Sequence, residues 1–163
     1  MSDSFLINSN SGGTSIGGAT STSYTPSSVS AGTTYYYCVI NASGNGYTTA
    51  TTNAVALTIV ANPAISTQPS TITECLGGTA ALSVTATGGT PSLAYQWFSN
   101  LSNSNSGGSA ITGATSSTYT PSSLVAGTVY YYCVVSASGD GCASAISNAV
   151  AVIIQTTPTA GTI

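Results

Sequence analysis

The sequence predicts an all-β protein built from repeated antiparallel β-sandwiches, with about seven strands in each complete module. Short segments such as 80–87 alternate apolar with polar residues and are bounded by Gly, Pro, Ser and Asn, which is typical of sandwich strands. No window has the 3.6-residue spacing of apolar side chains that an amphipathic helix requires. A stretch of sequence from the first third of the chain also recurs in the last third, which favours a tandem array.

The internal repeat has a constant spacing. The segment 16–28, IGGATSTSYTPSS, recurs at 111–123 as ITGATSSTYTPSS, and Cys38 recurs as Cys133, which gives a period of 95 residues. A fixed period of this kind indicates that each repeat is one structural unit and that successive units follow one another along the chain. We therefore expect the two copies to have the same fold.

The period predicts three parts of the chain. Residues 1–60 are predicted to be the C-terminal half of a sandwich module, 61–155 a complete module, and 156–163 the start of the next repeat or a linker. A half sandwich exposes an apolar face and unpaired strand edges, which is costly in water. We expect residues 1–60 to be completed either by the parent protein or by a neighbouring molecule through strand addition.

Alternation also predicts which side chains face the core. In the segment 80–87, Ala80, Leu82, Val84 and Ala86 lie on one side of a strand and polar residues lie mostly on the other. The same period predicts further inward side chains. These are Tyr95, Trp97, Tyr131, Cys133, Val135, Val150, Val152 and Ile154.

Three segments resemble the B, C and F strands of an immunoglobulin (Ig) domain. They are GGTAALSV at 77–84, YQWF at 95–98 and AGTVYYYC at 126–133. The resemblance implies that Trp97 is the core tryptophan of that fold. It also implies that Tyr131, two residues before Cys133, occupies the position of the tyrosine corner.

The wider sequence, with Gln-Pro, Tyr-Gln-Trp, Tyr-Tyr-Cys and Ser-Asn-Ala-Val in order, resembles the Ig-like repeats of giant secreted adhesins of gliding, type IX-secreting Bacteroidota. The resemblance implies a structural or adhesive repeat on the bacterial cell surface, acting as a stalk or adhesion module. A self-assembling extracellular filament subunit and a carbohydrate-binding module are the alternatives. The expected partners are neighbouring Ig-like repeats, other copies of the chain and surface glycans.

The composition excludes several classes of function. With no Lys or Arg, the chain lacks the cations that bind nucleic-acid phosphates and anionic lipid, and its apolar runs are too short to insert into a membrane. The start lacks the basic and apolar regions of a secretory signal, so we expect any export signal to lie outside this sequence or to have been removed.

Catalysis and cofactor binding are not expected either. The chain has no His or Lys to serve as a general base, and its three acids, Asp3, Glu74 and Asp140, are scattered. We predict a protein that is not an enzyme, with no catalytic residues, no metal site and no cofactor. The Gly-Asp-Gly at 139–141 is predicted to be a hairpin turn rather than part of a calcium site.

The cysteines match no zinc pattern. Val84 occupies the position of the B-strand cysteine of Ig domains, so the inter-sheet disulfide of that family cannot form, and we predict Cys133 to be a buried thiol. Cys75 and Cys142 are predicted at opposite ends of the module, too far apart for a bridge within it. A bridge between successive modules stays open.

Aromatic residues supply the candidate contact site. If Trp97 and Cys133 face inward, the aromatic residues beside them in the strands face outward. Such a row stacks on sugars or on a neighbouring module, or it only stabilises the sheet through cross-strand pairs. The candidate contact residues are Tyr35, Tyr37, Phe98, Tyr130 and Tyr132.

Overall fold

The computed structural model describes residues 9–42, 48–89, 92–138 and 142–157, together with the backbone of residues 2–5. By internal contacts the chain divides into two compact units, Met1–Val60 and Ala61–Ile163. Every helix or strand found in the described residues is a β-strand, which confirms the all-β prediction.

The first unit contains a single antiparallel sheet in its described residues. The strands are β1 (Ser2–Phe5), β2 (Thr14–Ser15), β3 (Gly32–Ile40), β4 (Ala50–Thr51) and β5 (Val55–Ile59). Strand β3 is at the centre of the sheet and pairs with β1, β4 and β5, while β2 pairs with the other edge of β1. Because successive side chains of a strand point to opposite faces, Tyr36 and Cys38 of β3 lie on one face and Tyr35 and Tyr37 on the other.

The second unit is a two-layer sandwich. Its strands are β6 (Ala64–Thr67), β7 (Ile72–Cys75), β8 (Leu82–Ser83), β9 (Thr85–Thr87), β10 (Leu93–Asn100), β11 (Ser109–Ala110), β12 (Thr118–Tyr119), β13 (Gly127–Ala137), β14 (Ala145–Ile146) and β15 (Val150–Gln155). One layer has the strand order β11-β10-β13-β15-β7, with β14 also pairing with β13, and the other consists of the pairs β12-β8 and β6-β9.

One pairing in the second unit departs from the antiparallel prediction. β7 pairs in parallel with β15. The buried Pro69 lies between β6 and β7, and because proline has no backbone N–H the ladder of β6 ends there. The chain then crosses to the other layer, where β7 runs in the same direction as the last strand.

The core of the second unit lies between the two layers. Trp97, Cys133 and Val135 of one layer are fully enclosed, and Leu82 and Val84 pack against them from the other. Tyr131, Val150, Val152 and Ile154 are also buried, and Tyr95 packs at the edge of the same cluster. The predicted set of inward side chains is therefore confirmed for these residues.

Ala80 was predicted to face the core, and the structure corrects this. Its side chain is exposed because β8 begins only at Leu82. The Ala80 N–H instead donates a hydrogen bond of 3.0 Å to Glu74 Oε2. Local side-chain bonding thus holds the segment before the strand in a turn.

The strand register of the two units is the same after a shift of 95 residues. Ser2 lies opposite Cys38 in the β1–β3 pair, and Trp97 lies opposite Cys133 in the β10–β13 pair. The same shift relates the β3–β5 pairing to β13–β15, and the β3–β4 pairing to β13–β14. In the described residues, only the second unit adds a second layer.

Candidate interaction surfaces

The outer face of the second unit carries the predicted aromatic pair Phe98 and Tyr132. Their rings are parallel to within 4° and their centroids lie 5.0 Å apart. The backbone N–H of Gly108 donates to Tyr132 Oη over 3.2 Å. Tyr132 thus lies on the outer face, but these contacts cover its ring and leave it only 4% exposed.

The first unit repeats this arrangement at Tyr37. The Gly13 N–H donates to Tyr37 Oη over 3.0 Å, and Tyr37 is 5% exposed, so little of its ring is accessible on the outer face. Tyr35, Phe98 and Tyr130 are half-buried. The glycan-stacking hypothesis stays a prediction, and it now depends on these three residues.

A polar residue missed in the sequence fixes the edge of the same sheet. Ser147 is fully buried, and its Oγ accepts a hydrogen bond from Cys133 N (2.9 Å) and donates one to Asn148 O (3.0 Å). Thr52 makes the matching bonds with Cys38 N (2.9 Å) and Asn53 O (3.1 Å). The signal in the sequence was a hydroxyl residue before Asn-Ala-Val in both copies.

Cys133 is a buried free thiol, as predicted. Burial raises its pKa from 9.0 to about 11, against a smaller lowering by a hydrogen bond with the Gln96 backbone. A thiol with so high a pKa is unreactive at neutral pH. Cys75 is exposed opposite Gln155, and Cys142 precedes Ala143, whose N–H donates to Asn62 Oδ1 over 3.1 Å.

Acidic groups form no metal cluster in the described part of the chain. In that part, Glu74 Oε1 is buried without a hydrogen-bond partner, while Glu74 Oε2 accepts a hydrogen bond from the Ala80 N–H. Asp140 with its predicted hairpin, and the side chain of Asp3, lie outside the described residues. Among the described residues, no helix has the length and apolar character needed to span a bilayer.

The inner face of the first unit is open and largely apolar in the described residues. A hollow of about 440 Å³ is lined by Tyr24, Pro26, Tyr36, Val55 and Leu57. Val55 is 68% exposed, whereas the matching residue of the second unit, Val150, is 8% exposed. The difference arises because the second layer covers Val150 but nothing among the described residues covers Val55.

A second hollow of about 550 Å³ adjoins this face and includes Ser21, Cys38 and Ile40. In the second unit the matching space holds an indole, since Trp97 Nε1 donates to Ser116 O over 2.9 Å. Ser21 is the residue that matches Ser116. The first unit therefore has a hollow at the position that the indole of Trp97 fills in the second unit.

Residues 64–156 match the family model of a domain of unknown function, DUF8696. The match covers more than half of the 163 residues. The chain belongs to this family. The DUF8696 match spans β6 to β15 and so includes both layers of the sandwich.

Solved structures of tandem Ig domains are similar to this DUF8696 chain. Extracellular domains 3–5 of Drosophila OTK match with a TM-score of 0.51 and 17% identity, over 77% of this chain and 40% of that one. The N-terminal eight Ig domains of Down Syndrome Cell Adhesion Molecule isoform 1.30.30 match with a TM-score of 0.51 and 15% identity, over 80% and 16%. No curated protein sequence matches the chain.

The chain thus spans less than half the length of either structure. At these identities the likeness establishes the fold, and it confirms the predicted Ig-like β-sandwich. The second of these structures is a cell adhesion molecule by name. The DUF8696 chain accordingly has an Ig-like fold.

Proposed function

We propose that the chain is a structural and adhesive segment of a large extracellular bacterial surface protein, in which Ig-like repeats form a stalk or an adhesion module. The observation that carries the proposal is the identical strand register at a spacing of 95 residues. In this proposal 1–60 is the C-terminal half of one repeat, 61–155 is a complete repeat, and 156–163 is the start of the next repeat or a linker. The bacterial origin is supported by the sequence resemblance to adhesin repeats.

The pairing of β7 with β15 supports a mechanical role. These strands lie near the two ends of the complete repeat and run parallel, with Ile72 opposite Val152 and Cys75 opposite Gln155. Tension along the chain pulls the two strands in opposite directions along their own length. All the hydrogen bonds between them are then loaded together rather than one after another, which resists unfolding.

Single-molecule stretching of the intact chain tests this role. We expect one high-force event with a length gain of about 300 Å, the extended length of one repeat. Leu76→Pro removes the backbone N–H that donates to Gln155 O over 3.0 Å and should lower the unfolding force. Leu76→Val, which keeps the N–H, should leave the force unchanged, and equal forces for wild type and Leu76→Pro would contradict the mechanical role.

The location is tested separately. Antibodies raised against the chain should label intact, unpermeabilised cells of the source organism, with a cytoplasmic protein as the negative control. Labelling that appears only after permeabilisation would rule out a surface protein. The result is independent of the stretching experiment because it reports location and not stability.

A self-assembling filament subunit is the second candidate. It is favoured by β5, which in the described residues pairs only with β3, whereas its counterpart β15 pairs with both β13 and β7. The chain also has no Lys, a residue that commonly blocks edge-to-edge strand addition. Negative-stain microscopy should then show ordered fibres, and discrete monomers at high concentration would exclude this candidate.

A further inference from the structure

Two cysteines of the second unit lie outside its core, and one of them is at the end where the chain leaves the unit. Cys75 ends β7 opposite Gln155, the residue that ends β15. The N–H of the next residue, Leu76, donates to Gln155 O over 3.0 Å. The Cys75 thiol is free and the residue is exposed, so it is accessible at this end of the repeat.

The other cysteine lies at the end where the chain enters the unit. The unit begins at Ala61, and the side chain of the next residue, Asn62, accepts a hydrogen bond of 3.1 Å from the Ala143 N–H. Cys142 directly precedes Ala143, and it is a half-buried free thiol. Each of the two cysteines therefore lies beside one end of the repeat.

Distance excludes a bridge between Cys75 and Cys142 of the same repeat. β13 begins at Gly127, opposite Ile154, and its far end pairs with β14, which begins three residues after Cys142. Its 11 residues cover about 35 Å at roughly 3.3 Å per residue. A disulfide needs Cα atoms within about 7 Å of each other. The prediction that these cysteines are too far apart to pair within the module is confirmed.

Successive repeats leave almost no chain between their ends. The repeat 61–155 fills the whole period of 95 residues, so Thr156 matches Ala61 and Thr157 matches Asn62. Two residues span at most about 7 Å. Cys75 of one repeat and the Cys142 position of the next therefore lie beside the two ends of a very short connection.

The end of the repeat that carries Cys75 also has an apolar surface. Leu124 and Val125 are 81% and 79% exposed. The residue before them, Ser123, accepts a hydrogen bond of 3.1 Å from the Gly77 N–H, which holds this loop beside the turn that follows Cys75. Adjacent exposed aliphatic side chains are typical of a surface that another domain covers.

We propose that Cys75 forms a disulfide with a cysteine at the Cys142 position of the repeat that follows in the same protein, which joins the two repeats covalently beside the peptide chain. The inference rests on the proposed function, because it requires a tandem array in an oxidising extracellular compartment. Each thiol loses one proton and one electron, and a small disulfide such as oxidised glutathione takes them up and is released as two thiols. The first unit has Tyr47 at the Cys142 position, so the bridge belongs to individual junctions.

A chain in which a second copy of residues 61–155 follows Gln155 tests the geometry. Oxidised glutathione should produce one intrachain disulfide, between Cys75 and the Cys142 position of the added copy, and peptide mapping by mass spectrometry identifies it. Cys75→Ser in the original repeat should abolish the bridge. Cys142→Ser in the original repeat is the matched control and should leave the bridge intact.

Single-molecule stretching of the same extended chain gives a second readout. The bridge encloses the chain from Leu76 to the Cys142 position of the added copy, so this segment stays short until the disulfide is reduced. We expect a smaller total length gain for the oxidised chain than for the same chain in dithiothreitol. A merely structural role of Cys75 would leave the two lengths equal.

The native protein is tested by extraction without reductant while free thiols are alkylated. A peptide that contains Cys75 should be linked to a peptide of the following repeat. Three results would overturn the inference: a bridge between Cys75 and Cys142 of one repeat, oxidation that links only separate chains, and a free, alkylated Cys75 in protein that labels on intact cells. Absence of surface labelling would count against the proposed function alone, since the extended chain tests the bridge independently of location.

Discussion

The two units of the chain have the same sheet register but different burial. Cys133 is enclosed, whereas Cys38 at the matching position is half-buried. Both cysteines nevertheless donate the same 2.9 Å backbone hydrogen bond, Cys133 N–H to Ser147 Oγ and Cys38 N–H to Thr52 Oγ1. Backbone pairing therefore sets the geometry of the sheet in both units. The second layer, which supplies Leu82 and Val84, adds the apolar burial that makes one of them a closed core.

The largest expected loss of stability comes from substituting Trp97, the residue that most distinguishes the second unit from the first. Trp97→Ala removes the fully buried indole and its hydrogen bond to Ser116 O, for which the first unit has no equivalent at Ser2. We expect the second unit to lose about 3–5 kcal/mol of unfolding free energy. Chemical denaturation followed by circular dichroism measures it.

Phe98→Ala is the control for this substitution. Phe98 is the next residue in the strand, but it lies half-buried on the outer face and stacks on Tyr132. It should cost clearly less than Trp97→Ala. Equal losses for the two variants would mean that the core does not lie between the two layers.

Alkaline pH should destabilise the second unit through Cys133. Its folded-state pKa is raised from 9.0 to about 11, so the folded thiol keeps its proton while the unfolded thiol loses it. Stability is therefore full below pH 9 and falls by about 2–3 kcal/mol as pH rises to 11. Denaturant midpoints at pH 8 and pH 11 measure the loss.

Burial also raises the pKa values of Tyr119 and Tyr131, so their ionisation at higher pH lowers the stability of the folded state further. Cys133→Val has no titrating group at this position and should lose less stability over the same interval. An identical pH dependence in wild type and Cys133→Val would show that the thiol does not titrate on unfolding.

The smallest expected effect comes from the two matched hydroxyl residues. Ser147→Ala leaves the buried Cys133 N–H without its 2.9 Å partner and should cost about 1–2 kcal/mol. Thr52→Ala removes the same bond in an exposed setting, where water replaces it, and should cost less than about 1 kcal/mol. Hydrogen-exchange rates of the Cys133 and Cys38 amides report each loss, and equal costs would contradict the difference in burial.

The strands and core residues of the second unit were predictable from sequence because period-two alternation is a local property. Trp97, Val150 and Val152 follow that period and are buried. The parallel β7–β15 pairing was not predictable, because it depends on where the chain crosses between layers after Pro69. Nor was the exposure of Ala80, since the Glu74 side chain holds that segment in a turn.

The candidate contact residues show the limit of alternation as a guide to exposure. Alternation assigns Tyr132 and Tyr37 to the outer face, but it does not show what lies on that face. Their hydroxyls accept hydrogen bonds from Gly108 and Gly13, residues 24 positions earlier in the chain. At Gly108 a Cβ would come within 2.9 Å of the Tyr132 ring, so the close approach needs glycine.

Residue-resolved hydrogen exchange most directly tests the claim that the two units have the same strand register but that only the second has its sheet covered by a second layer. The amides of Tyr131 and Cys133 in β13 should exchange only through global unfolding of the second unit. Those of Tyr36 and Cys38 in β3, with the same strand register, should exchange at least about a hundredfold faster through local opening. Equal protection at the two pairs would contradict the account, because it would mean that the first unit is closed as fully as the second.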